Sequence, residues 1–311
     1  MSYRILYWII RMDVLSNILK LLRLKASVYF QADFCGSWSI SSKETNEAHF
    51  HIVERGTCWL HLPNEPQAIT LRSGDLVFFP RDAKHFVTES NKYPLYLEPG
   101  ILFGSDLSEP TTKIICGVFE FESNVVNPIL NALPEVVHIK NADPDNAVWL
   151  DSLIQFICRE SQSDSLGSTA VVDKLCDVLF VQIIRSWISK NDTKQGFIAA
   201  LADPSLYRAL DAFHASPYIT WSVELLAEKA GMSRSAFSNR FQTIMVVTPM
   251  YYVTHWRMQC AHDMLITGNK SIAKIAEQMT YQSEASFRKA FKQHIGNPPG
   301  AVRKTSGITN L

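Results

Sequence analysis

A segment near residue 222 recurs about 50 residues later, and few folds accommodate such a repeat. Leu226-Ala227-Glu228-Lys229 is echoed by Ile275-Ala276-Glu277-Gln278. Ser233, Phe237 and Phe241 are echoed by Ser283, Phe287 and Phe291, with one extra residue in the second turn. In the first copy Ser222 can cap a helix that carries Glu224 in its first turn and Leu225, Leu226, Ala227 and Ala230 as its apolar stripe. Gly231 follows, a residue type that tolerates the backbone needed between two crossed helices. Ser233 then caps a second helix with Phe237, Phe241 and Ile244 at helical spacing, which leaves Arg234, Ser235, Ser238, Asn239 and Arg240 facing outward.

A short helix, a tight turn and a second helix with small polar and basic outward residues is the helix-turn-helix plan for entering a DNA major groove. Between the copies, Thr248-Pro249 reads as an N-cap followed by proline at the first helical position. The spacing predicts a helix of roughly 17 residues to about Leu265, around 25 Å long. Such a rod could hold two recognition helices one DNA turn, ~34 Å, apart. Charge agrees: residues 204–311 hold 12 Lys and Arg against 6 Asp and Glu, while residues 1–203 hold 18 against 24, so a net charge of zero conceals a basic tail.

With the phrases A-G-M-S-R-S-A-F-S-N-R-F, T-P-M-Y-Y-V-T-H-W-R-M and F-R-K-A-F-K-Q-H-I-G-N-P-P, about the last 108 residues resemble the DNA-binding domain of AraC/XylS-type transcription regulators. Two positions depart from that pattern: Val246 and Thr280 stand where the family usually has glycine. In the first recognition helix Ser235, Ser238 and Asn239 are expected at base edges, with Arg234 and Arg240 on phosphate. In the second, Ala285, Ser286 and Lys289 face out nearest the helix start, and Arg288 and Lys292 are expected on the backbone. The alternative is that these residues are ordinary solvated helix surface.

From Ala26 to about Glu122, short segments rich in β-branched and aromatic residues are separated by Gly, Pro and Asn: 28–30, 49–53, 58–62, 75–79 and 113–116. Strands without intervening helices predict a small antiparallel barrel or sandwich. Gly74-Asp75-x-x-x-x-Pro80-x-Asp82-x-x-His85 resembles the second motif of cupin barrels and His49-x-His51 part of the first. The resemblance implies a cupin-type sensor domain. Asn146 to Gln162 and Ser168 to Ser189 read as amphipathic helices, lined by Leu150, Leu153, Ile154 and Ile157 and by Val171, Leu175, Val178, Leu179 and Ile183. In the family such a pair is a natural dimer surface; equally, the stripes could simply pack on the barrel.

The predicted fold class is therefore α+β: a cupin-like antiparallel barrel with two flanking helices over 12–189, a linker over 190–203, and an all-α domain with two helix-turn-helix units over 204–311. The apolar patch Ile5 to Ile10 is too short for a membrane span, and Met12 reads as a natural start. Six cysteines without a C-x-x-C pair predict a reduced, cytoplasmic setting. Cys35 and Cys116 resemble cysteines of oxidant-responsive family members, which makes them candidate sensors; buried apolar thiols are the alternative. His49, His51 and His85 are either ligands of a divalent metal or polar histidines of a pocket, because Glu54 falls too early for the cupin carboxylate ligand. The resemblance implies double-stranded DNA, a homodimer, RNA polymerase and a small-molecule effector as partners, no membrane and no catalysis. A metal-dependent cupin enzyme fused to a DNA-binding domain is the rival, and it needs a complete ligand set.

Overall fold

The computed structural model describes residues 14–21, 24–42, 47–93, 100–103, 111–121, 128–190 and 194–305. The apolar patch before Met12 and the expected start lie outside these residues. Two compact units emerge. One holds strands β1 (Leu24–Phe34), β2 (Ser39–Ser41), β3 (Ala48–Arg55), β4 (Thr57–His61), β5 (Ile69–Arg72), β6 (Leu76–Phe79), β7 (Phe86–Thr88), β8 (Gly100–Leu102), β9 (Thr112–Phe121) and β10 (Val137–Ile139). The other is helical.

The strands pair antiparallel into two five-stranded sheets, β1-β9-β3-β6-β10 and β5-β4-β7-β2-β8, which among the described residues do not close into a ring. Phe34, Trp38, Val53, Leu60, Val77, Phe79, Val87 and Ile114 belong to the buried core they share. Alternation along β3 follows from the pleat. Val53 joins this core, while the Phe50 ring stacks on Phe119 at 4.7 Å. Gly117, opposite Phe50 in the register, makes room for that ring: a Cβ there would lie 2.1 Å from it.

Helices α2 (Pro128–Ala132), α3 (Pro144–Ser161) and α4 (Ser168–Lys190) complete this unit. Phe180 of α4 meets Phe78, Phe119 and Phe121 edge-on or tilted, which seats the helix on the first sheet. The expected stripe of α3 is buried throughout, but that of α4 is rotated. Val172, Cys176, Leu179, Phe180, Ile183, Ile184 and Trp187 are covered, and Val171 and Val178 are exposed. An apolar residue in nearly every turn gives no single stripe, so which face wins depends on the surface met.

The helical unit gathers α1 (Val14–Leu21), α5 (Phe197–Ala202), α6 (Pro204–Ala215), α7 (Val223–Ala230), α8 (Arg234–Met245), α9 (Pro249–Thr267), α10 (Ile272–Gln278), α11 (Glu284–Ile295) and α12 (Pro299–Thr305). Two features fall at the expected boundaries. Helix α1 lies within the span expected for the barrel domain and groups by packing with the helical unit. The linker expected over 190–203 contains α5, whose Phe197, Ile198, Ala199 and Ala200 are buried. Gly196 starts α5 at φ 90°, and Asp203 ends α5 and begins α6 by accepting from the Ser205 and Leu206 amides.

The duplication is physical as well as textual. Ser222 and Ser271 cap α7 and α10, and Ser233 and Ser283 cap α8 and α11. Each recognition helix has 12 residues and buries two phenylalanines, with ring separations of 5.5 Å and 5.6 Å. The turns repeat too. Met232 donates to Ala227 O and Tyr281 to Ala276 O, so Thr280 occupies the place of Gly231, at φ 67° against 70°. After the recognition helices, Val246 and Gly296 stand in equivalent positions at φ 61° and 90°, each amide donating four residues back. Both non-glycine departures thus keep the left-handed turn and bear its cost, which is highest for a β-branched residue.

Val246→Gly is therefore expected to stabilise the helical unit by about 1 kcal/mol, the relieved strain exceeding the extra freedom glycine gives the unfolded chain. Thr280→Gly should gain less, because the Thr280 hydroxyl accepts from Arg257 at 3.0 Å. Thermal melts of both variants check this, and equal gains would sink the distinction.

Candidate nucleic-acid interface and barrel cavity

On α8, Arg234, Ser235, Asn239 and Arg240 are exposed and Ser238 is half-buried; on α11, Ala285, Ser286, Arg288, Lys289 and Lys292 are all exposed. The buried phenylalanines fix the rotation of each helix, so these residues share outward faces by construction. Their ion pairs differ. Arg234 meets Glu224 at 2.7 Å and Arg288 pairs with Glu284, both at the surface, where such pairs contribute little and exchange easily. Arg240 instead donates from Nε to the Asp203 carboxylate at 2.6 Å, and that carboxylate is buried. Burial pushes the Asp203 pKa up, but the Leu206 amide, Arg240 and the Ser205 amide outweigh it and hold the group below the usual range. Arg240 thus ties α8 to the α5–α6 junction, a role sequence did not suggest because Asp203 lies 37 residues away.

Sequence reasoning overlooked Gln242, Thr243 and Gln293, which are also exposed. Gln242 stands where the second copy has Lys292, and Thr243 where it has Gln293. Aligning the copies residue by residue would have found them. Helix α9, 19 residues and about 28 Å long, packs against α8 and α11. Arg257 on α9 is spent structurally, donating to Pro217 O at 2.8 Å, to Ile219 O and to Thr280 Oγ1.

An open cavity of about 540 Å³ lies between the two sheets. Its wall on β1 owes its shape to a bulge between Val28 and Phe30, which adds Tyr29 and lets Ser27, Tyr29 and Phe30 all line the space. His49, His51 and His85 line it as well. His51 sits directly opposite Cys116 in the β3–β9 register, and its Nδ1 lies 3.0 Å from the Cys116 Sγ. Its Nε2 is 2.8 Å from His85 Nε2. The turn after β6, with Asp82 at φ 50°, brings the His85 ring back onto Phe79 at 3.6 Å, nearly parallel.

Direction in this chain of hydrogen bonds follows from one end. The Ala83 carbonyl, 2.6 Å from His85 Nδ1, can only accept, so Nδ1 donates and His85 Nε2 accepts. His51 Nε2 therefore donates, His51 Nδ1 accepts, and the Cys116 thiol donates to it. Burial lowers both imidazole pKa values, His51 far below normal and His85 to about 4, and raises that of the Cys116 thiol. All three groups are neutral at pH 7.

His49, His51 and His85 stand here as polar histidines of a pocket: both ring nitrogens of His51 and His85 are engaged, His49 turns to Asp82 at 3.6 Å, and among the described residues no three His, Cys, Asp or Glu side chains converge as ligands. The candidate sensor cysteines are also apart. Cys35 follows Phe34, which pairs with Thr112, whereas Cys116 pairs with Phe30. That offset is roughly 15 Å along the strands, too long for a disulfide. No cysteine is in a disulfide. Among the described residues, no helix is long and apolar enough to cross a membrane.

Comparison with known proteins agrees with both halves. The family model described as Cupin matches residues 13–189, and that described as Helix-turn-helix domain matches residues 226–305. An uncharacterized HTH-type transcriptional regulator of Haemophilus influenzae is 32% identical, covering 96% of this chain and all of the relative. The HTH-type transcriptional regulator AlkR of Acinetobacter baylyi is 31% identical over 95% of this chain and all of its own length. The RCS-specific HTH-type transcriptional activator RclR of Escherichia coli is 28% identical over 94% of this chain and 98% of its own.

Proposed function

The chain belongs to the AraC/XylS family of transcription regulators, and from that premise we propose that α8 and α11 read successive major grooves of double-stranded DNA while the barrel cavity receives the signal. The observation that carries this is the matched pair of recognition helices, identically capped and anchored, whose outward faces differ: Ser235, Ser238 and Asn239 on one, Ala285, Ser286 and Lys289 on the other. Two frames of one geometry with different outward residues suit two different half-sites. Arg234, Arg288 and Lys292 grip phosphate; Arg240 positions α8 through Asp203.

Asn239→Ala is expected to weaken binding to a selected duplex by about tenfold or more while changing random-sequence binding by less than about twofold, since a bidentate amide-to-adenine contact carries sequence information and a phosphate contact does not. Fluorescence anisotropy on both duplexes measures it. Equal losses on the two would remove Asn239 from base readout.

The barrel acts as a receptor, a reading supported by relatives that match nearly the whole chain and are transcriptional regulators. A small molecule suits it better than an oxidant: Cys116 is buried and keeps its proton, and it lies far from Cys35. Exposed Val148 and Phe156 on α3 and Val171 and Val178 on α4 offer apolar surface to a second copy in a homodimer. The setting is cytoplasmic, with RNA polymerase as the downstream partner.

A further inference from the structure

Gln195 and Gly196 reach the far end of the first recognition helix. The sequence expects Ile244 on the buried stripe of α8, yet Ile244 is only half-buried, and both phenylalanine anchors, Phe237 and Phe241, lie in the first two turns. The last turn of a helix also carries carbonyls with no partner inside it. Two of these are met from outside: the Gly196 amide donates to Ile244 O at 2.7 Å, and Gln195 Nε2 donates to Thr243 O at 3.4 Å. One turn earlier the Asp203 carboxylate accepts from Arg240 Nε at 2.6 Å. Between these tethers Phe197 of α5 lies nearly parallel to Tyr252 of α9 at 6.3 Å, and Tyr252 meets the Phe241 ring edge-on at 6.0 Å. Residues 195–203 therefore hold α8 at positions 240, 243 and 244, and rest on the same aromatic cluster as its second anchor. The second copy is built otherwise. It has Ala290 where the first has Arg240, and α11 packs against α9, α10 and α12.

We propose that residues 195–203 are a positioning brace for the first recognition helix alone: they fix how α8 lies in its groove, and with it the base preference at one half-site, while α11 reads its half-site without them. This rests on the two-reader proposal above and assigns what positions one of its readers. Contacts to base edges need side chains held to within about 0.5 Å, whereas phosphate contacts carry no sequence information and survive a small shift of the helix. Loosening the brace therefore lowers discrimination at the α8 half-site before it lowers affinity for DNA in general.

The full-length protein carrying both Gly196→Ala and Asp203→Asn tests this. Nothing lies within 4 Å of a Cβ added at Gly196, so alanine there acts only through the φ of 90° that it disfavours. Asparagine at 203 keeps a good N-cap for α6 while removing the charge that holds Arg240. A library-selected duplex supplies the site. Asn239→Ala and Lys289→Ala, each in the otherwise unaltered protein, identify the base pairs read by α8 and by α11 as those at which preference is lost. The ratio of Kd values for mismatched and matched duplexes is then measured at each half-site. In the double variant this ratio is expected to fall by at least about threefold at the α8 half-site and to change by less than about twofold at the α11 half-site. A smaller fall at the α8 half-site, or a comparable fall at both, would overturn the brace. Should the double variant fail to melt cooperatively, Asp203→Asn alone carries the test with the same thresholds. If the unaltered protein shows no preference, or the two mapping substitutions do not separate two half-sites, the two-reader proposal itself falls; two distinct half-sites with an even response to the brace variants remove only the brace.

Discussion

Raising monovalent salt from 50 to 200 mM is expected to weaken duplex binding by about a hundredfold for each chain bound, and by about ten thousandfold for a dimer. The estimate counts Arg234, Arg288, Lys289 and Lys292, the exposed cations of α8 and α11 apart from Arg240, which Asp203 holds. Neutralising four phosphates releases condensed counterions with a slope near −3.6 in log affinity against log salt. Arg234 and Arg288 must first leave Glu224 and Glu284, but those pairs are at the surface and cost little to exchange. The exchange could shave the slope without removing it. Affinity measured at four or five salt concentrations gives the number directly. A slope near zero would mean that these helices do not lie on a phosphate backbone, and would undo the interface. Replacing Lys292 by Ala should lower the slope by about one while leaving sequence preference intact.

Truncating the phenylalanine that anchors either recognition helix should have the largest effect on stability. Phe237 and Phe287 are fully buried and each contacts the next aromatic ring one turn on. Phe→Ala at such a site loses the transfer energy of the ring and leaves a cavity, about 3–5 kcal/mol together. Against a total of roughly 5–15 kcal/mol for a domain, that is a large share. The melting transition of the helical unit should fall by about 15 °C or more. Because the copies are equivalent, Phe237→Ala and Phe287→Ala should cost similar amounts and each should abolish specific binding. A loss below about 1 kcal/mol for either would show that its helix is not anchored as described.

Much of the helical unit could be foreseen because its signals are local. Ser222, Ser233, Thr248 and Ser283 are caps whose partners lie three residues on, and the Phe pairs lie four apart, so a short window holds cause and effect. The outward residues of α8 and α11 followed from the same periodicity. The strands of the barrel were legible where they are long and apolar, as in β1, β3 and β9. The three-residue strands β2, β7, β8 and β10 were not, since so short a run carries no period and forms only against its neighbours. Helix α5 was missed for the same reason.

The amino-acid order alone determined the twin reader: its caps, its turns, its anchors and its basic character, all set by interactions within a few residues. Only the tertiary structure decided that Arg240 serves Asp203 and that His51 bonds both His85 and Cys116. Those pairings join residues 34 to 65 positions apart, and their partners are chosen by strand register and helix packing, which no local pattern encodes.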